Sequence, residues 1–133
     1  MNSFEEKISL LMEMIAFSVI DGKLDPREYE FLSLIANELQ IGKAAFDDLF
    51  HQERKPIVIK SEVQRIHQFY RLALLMHIDG ILDEREDTAI HEIGIGMGLN
   101  PSAMSRVLNL MEVSESKIID PQVIFNMFGE QRN

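Results

Sequence analysis

Cysteine is missing altogether from this chain of 133 residues. Its absence excludes a disulfide framework, thiolate metal sites and a cysteine nucleophile, and it accords with a reducing compartment. Positive charge is scarce as well: 13 Lys and Arg stand against 22 Asp and Glu, a formal net charge of −9 at pH 7. A field of that sign repels phosphate backbones and acidic lipids, so the expected partner is a basic protein or a cation and not nucleic acid. No apolar run approaches the ~20 residues a spanning helix needs, which argues against direct membrane insertion. Glu5 and Glu6 occupy the place where a signal peptide is basic, and Glu13 interrupts the apolar stretch behind them. A soluble, cytoplasmic protein is therefore predicted. Catalytic apparatus is missing too, with no Ser/His/Asp set, nucleophile elbow or P-loop, and each acidic candidate for general acid/base work has a capping role. The expectation is a protein that is not an enzyme.

What the chain does contain is a repeat. Ile20-Asp21-Gly22-Lys23-Leu24-Asp25-Pro26-Arg27-Glu28 returns 58 positions later as Ile78-Asp79-Gly80-Ile81-Leu82-Asp83-Glu84-Arg85-Glu86, with seven of nine positions identical. The match persists more softly through Ile35/Ile93, Leu39/Met97, Ile41/Leu99 and Ala45/Ala103. Self-similarity at a fixed offset dictates architecture. It predicts an all-α, compact bundle built by internal duplication, within a single domain spanning 1–133. The halves fall at about 4–52 and 61–113, and an extra helix at about 121–128 has no counterpart. At this length, with 46% hydrophobic residues, one core forms without staples.

The helical period is legible along both halves. Ile8, Leu11, Met12, Ile15 and Val19 mark the wide apolar face of a first helix ending near Ile20. A second runs from Pro26 to Gln40, with Gly42 as its expected breaker, and a short third passes through Ala44, Phe46, Leu49 and Phe50. Glu53-Arg54-Lys55-Pro56 reads as the connection, and Ile57-Val58-Ile59, too short for a sheet, as a buried linker. Ser61 with Gln64 opens the second half as a capping box ahead of Val63, Ile66, Phe69, Ala73 and Ile78. Glu84 to Met97 is the next helix, stopped by Gly98; Asn100-Pro101 starts the sixth. Asp120-Pro121 starts the seventh, which Gly129 is expected to close. Met76, Met97, Met104 and Met111 fall on core-facing positions of this scheme.

The repeated acidic turn has two readings. In the first, Gly22 ends a helix, Asp25 is an N-cap, Pro26 takes the first helical position and Glu28 completes a capping box, with Leu24 stapled on Tyr29; Asp83, Glu84 and Glu86 repeat the caps. Asp21 and Asp79 are left over at helix C-termini, where the dipole disfavours a carboxylate and a compensating cation is expected. Arg27 and Arg85, each reaching across to the other copy, are one source. A divalent ion is the other, held by Asp21, Asp25, Glu28, Asp79, Asp83 and Glu86, with calcium or magnesium ahead of zinc. Asp-Gly-x-Leu-Asp-x-x-Glu reproduces positions 5, 6, 8, 9 and 12 of the EF-hand loop, but positions 1 and 3 fall on Phe17 and Val19, or Leu75 and His77. These are core residues, so a conventional EF-hand is excluded.

Other candidates are weaker. Asp83, Asp87 and His91 are spaced to share a helix face, yet the first half offers nothing equivalent, so an exposed helix histidine is the simpler account of His91. His77 takes the place of Val19 and reads as a partly buried, satisfied histidine. Gly94-Ile95-Gly96-Met97-Gly98 ends a helix and does not follow a strand, which favours close helix packing over phosphate binding.

A duplicated helical chain with Asp-Gly-x-Leu-Asp-x-x-Glu at each inter-helix turn resembles the TerB-like family, over about Met12 to Met111. The resemblance implies a compact bundle of about seven helices, and a related domain in a membrane-anchored DnaJ-type co-chaperone. It also implies stress responses to tellurite, divalent-metal binding at the acidic turns and scaffolding of protein complexes. Phe17 and Leu75 depart from the small residues many members carry. The expected function is thus a non-enzymatic, metal-responsive or protein-interaction module, a divalent cation bridging the two acidic turns. The alternative is a metal-free scaffold or co-chaperone-like module whose turns only cap helices. Phe125 and Phe128 on the last helix offer a surface for a homodimer.

Overall fold

The apolar period resolves into seven helices in the computed structural model, which describes residues 4–20, 24–51, 61–78, 83–116 and 118–130. They are α1 (Phe4–Ser18), α2 (Pro26–Glu38), α3 (Lys43–Leu49), α4 (Glu62–His77), α5 (Glu84–Gly96), α6 (Pro101–Val113) and α7 (Pro121–Glu130). No strand occurs among the described residues, so the fold class is all-α. The predicted Glu53–Ile59 connection and linker lie outside them, as do Asp21, Gly22, Asp79 and Gly80. Two compact units divide the chain, Met1–Val58 and Ile59–Asn133.

In the first unit α2 packs against both α1 and α3. The α1 face repeats at Ile8, Leu11, Met14, Ile15 and Ser18, all buried, a spacing of three and four that puts them on one side. Ser18 is tolerated there because its hydroxyl donates to the Ile15 carbonyl at 2.7 Å. Leu32, Ile35 and Ala36 are the buried side of α2. Each large side chain so buried stabilises by about 1.5–3 kcal/mol. Tyr29 closes an aromatic cluster, its ring centroid 5.5 Å from Phe46 and 5.9 Å from Phe50. Its hydroxyl donates to Asp47 Oδ1 at 2.8 Å, tying α2 to α3.

In the second unit α4 packs on α5 and α7, and α6 on the same two helices. Phe69, Leu72, Ala73, Ile90, Met104, Val107 and Met111 are fully buried. Gly94 lets α5 approach α6, since a Cβ there would collide with the Met104 side chain. The unrepeated α7 is held on its apolar side: Phe128 stands edge-on to Phe69 at 6.0 Å, and Phe125 lies 5.2 Å from His67. Phe128 is thereby spent inside the unit and unavailable to a dimer.

Several local expectations need correction. Gly42 does not end α2; Gln40 does, in the left-handed region at φ 62°, and Gly42 is instead the N-cap of α3. Gly129 does not close α7, which runs through it to Glu130. Val19, Val63 and Val123 are exposed because each lies in or just beyond a terminal turn, past the reach of the neighbouring helices. Met97 is only half-buried, following the end of α5.

Candidate functional site

The acidic turn of the first unit is a complete capping box. The Asp25 carboxylate accepts the Arg27 N–H at 2.8 Å, and Glu28 Oε1 reaches back to accept the Asp25 N–H at 3.2 Å. Glu28 is buried as a result. Arg27 turns to its own copy's aspartate, Nε lying 3.4 Å from Asp25 Oδ1; Asp79, which it was expected to reach, lies outside the described residues. Chiefly the Arg27 N–H, and secondarily its guanidinium, hold the Asp25 carboxyl below its ordinary pKa.

The second unit repeats the aspartate cap with a firmer ion pair. Asp83 accepts the Arg85 N–H at 2.7 Å, and the Arg85 guanidinium places Nε 3.3 Å from Oδ1 and Nη2 3.2 Å from Oδ2. That guanidinium is the main cause of a lowered Asp83 pKa, with the backbone N–H second. Glu86 is buried like Glu28. Four of the six predicted metal-ligating residues are thus described, Asp25 and Glu28 in one unit and Asp83 and Glu86 in the other; Asp21 and Asp79 fall outside the described residues. Among the described residues, no three His, Asp or Glu side chains come together in a geometry that could hold a metal ion. As placed, the Asp25, Glu28 and Asp83 carboxylates face backbone N–H groups and arginine, as helix caps do.

A cavity of about 410 Å3 in the second unit gathers a different set of polar residues. Met76 and His77 line it from the end of α4, and Asp83, Glu84, Asp87 and His91 from α5 and its cap. From α6 come Ser105, Leu108, Asn109 and Glu112. The α5 spacing of four and the α6 spacing of three and four put each set on one helical face. The packing of α5 on α6 makes them opposite walls. Met76 and Leu108 are buried and supply an apolar floor, while Glu84, Asp87 and Glu112 are exposed at the rim. Such a volume lies within the ~300–1,000 Å3 of ligand-binding clefts.

His91 is oriented by its own helix. Its Nδ1 lies 2.8 Å from the Asp87 carbonyl oxygen, and a carbonyl only accepts, so Nδ1 carries the hydrogen. Asp87 Oδ1 is 3.8 Å from the same nitrogen. His91 lies in the cavity wall with its side chain 34% exposed. His77, expected to be partly buried, is fully so at 7% exposure. Ser105, Asn109 and Glu112 were not anticipated; their spacing along α6 was the available signal, but it has no meaning until α5 is known to lie opposite.

No protein-family model, curated protein or solved structure matches this chain. The likeness to the TerB-like family rests on the repeated motif alone. No helix among the described residues is long and apolar enough to cross a membrane.

Proposed function

We propose that this chain is a non-enzymatic, TerB-like protein-interaction module of the cytoplasm that recognises a basic partner, its acidic turns serving as helix caps. The observation that carries this reading is the cavity of the second unit, whose rim is acidic and whose ten described lining residues include no lysine or arginine. The formal charge of −9 extends the same preference over the whole molecule and speeds encounter with a positively charged partner. The link to stress responses comes from the motif resemblance.

A second reading keeps a divalent cation, calcium or magnesium, at the acidic turns. It is favoured by the repetition of Asp21 and Asp79 a few residues beyond the ends of α1 and α4, where helix dipoles disfavour carboxylates.

Two titrations separate the readings. A short fluorescent peptide rich in lysine and arginine is expected to bind saturably, more weakly as salt rises and equally well with chelator present. Calcium, magnesium, manganese and zinc are expected to leave the melting temperature of the chelator-stripped protein unchanged. A saturable rise with one metal, lost in Asp21→Asn/Asp79→Asn, would transfer the function to cation sensing, because a ligand preferring the folded state stabilises it by mass action. Failure of the basic peptide to bind at any salt would remove the interaction reading.

A further inference from the structure

Deepening the basic-partner reading, and resting on it, we infer that the cavity between α4, α5 and α6 receives a single long basic side chain, lysine or arginine, from the partner protein.

The lining matches that occupant in three ways. Buried Met76 and Leu108 make an apolar floor, which a bare cation cannot use but the methylene stem of lysine or arginine covers. The rim carries Asp87 from α5 and Glu112 from α6, on opposite walls, so a positive head group emerging from the floor meets carboxylates from two helices. Ser105 and Asn109, exposed on the α6 side of the cavity, offer oxygen acceptors that a guanidinium or ammonium, both pure donors, can use. Asp83 is not part of this recognition, being held by the Arg85 guanidinium at 3.2 Å and by the α5 cap.

A hard divalent ion is the poorer occupant. Calcium wants about 6–8 oxygens, and no three described acidic or histidine side chains are arranged to hold a metal. A neutral apolar ligand suits the floor, but entry would strip water from the carboxylate rim without compensation. Charge and shape together select an amphipathic cation.

The test uses the full chain, isotope-labelled at backbone amides and methionine methyls, titrated with N-acetyl-arginine methylamide and N-acetyl-lysine methylamide. Citrulline and norleucine methylamides, neutral and of similar length, are the controls. The Met76 methyl and the amides of His91, Leu108 and Glu112 are expected to shift saturably with the cationic probes. Asp87→Asn/Glu112→Gln is expected to weaken them about tenfold, two exposed charge contacts each being worth up to about fivefold. Glu38→Gln/Glu92→Gln changes net charge equally at exposed residues outside the cavity and is expected to have little effect.

Equal weakening by both variant pairs, or shifts spread over the acidic surface, would overturn the cavity assignment and leave general attraction to basic partners standing. So would norleucine binding as well as arginine, which would make the cavity an apolar pocket. Basic peptide binding that leaves the Met76 methyl unmoved likewise overturns this inference alone. If neither the probes nor the basic peptide bind, both this inference and the interaction reading fail.

Discussion

Gln40 and Gly98 occupy the same position of the repeat, 58 residues apart, and are the described residues with positive φ, at 62° and 79°. Both terminate a helix by the same pair of backbone bonds. Ile41 N–H donates to the Ala36 carbonyl at 2.8 Å and Gln40 N–H to that of Asn37 at 3.0 Å; Leu99 and Gly98 repeat this on Gly94 and Ile95 at 3.0 and 2.9 Å. This is the Schellman arrangement, with buried Ile41 and Leu99 as its hydrophobic contacts. One copy uses the residue made for left-handed backbone and the other does not.

Gln40→Gly is therefore expected to stabilise the protein by about 0.5–1 kcal/mol, relief of the left-handed penalty outweighing the added unfolded-state freedom. Gly98→Ala should destabilise by about 1–2 kcal/mol for the converse reason. Equilibrium urea unfolding measures both, and a destabilised Gln40→Gly would contradict the strain.

Gly94→Ala should cost about 1–3 kcal/mol by overpacking, because its new methyl enters the space of the fully buried Met104 side chain. Met104→Val, which shortens that side chain, is expected to recover part of the loss in the double variant. Additive losses in the denaturation cycle would show that the two positions do not compete for the same volume.

Tyr70 holds the approach to α7 through one hydrogen bond, its hydroxyl oxygen accepting the N–H of buried Ile119 at 2.9 Å. Tyr70→Phe leaves that N–H unsatisfied, at a cost of about 1–3 kcal/mol. Hydrogen exchange should quicken at Ile119 and along α7 more than in α4. Unchanged protection at Ile119 would mean that the bond contributes nothing.

Acid should erase the advantage of aspartate over asparagine at the repeated caps. The folded state lowers the carboxyl pKa of Asp25 and Asp83 below the ordinary 3.8. Their contribution is thus present above that value and lost as pH falls through the lower, folded one. Wild type is expected to exceed Asp25→Asn and Asp83→Asn in stability at neutral pH, and the gap to close below 3.8. Urea titrations at a series of pH values would show it; a gap constant down to strong acid would refute the assignment.

Helix starts were legible because their causes are local. Asp25, Ser61, Asp83 and Asn100 all serve as N-caps as expected, each side chain accepting an N–H two or three residues on, and the box expected at Asp25 is complete. Helix ends were less so: a glycine marks a stop at Gly98, but Gly42 misled because the turn belongs to Gln40, a residue without that preference. The candidate site was legible only along α5, where Asp83, Asp87 and His91 share a face. Its other wall, on α6, lies about twenty residues away in sequence, and no local rule pairs the two.

Local sequence sufficed for the helices and for the caps at Asp25, Ser61, Asp83 and Asn100, since these depend on hydrogen bonds and apolar spacing within a few residues. Which polar faces became a cavity, why Gly94 stays small and how Phe128 comes to face Phe69 follow from the packing of helices distant in sequence. Those outcomes come from side chains of distant helices competing for one close-packed volume, a constraint that exists only once the helices meet.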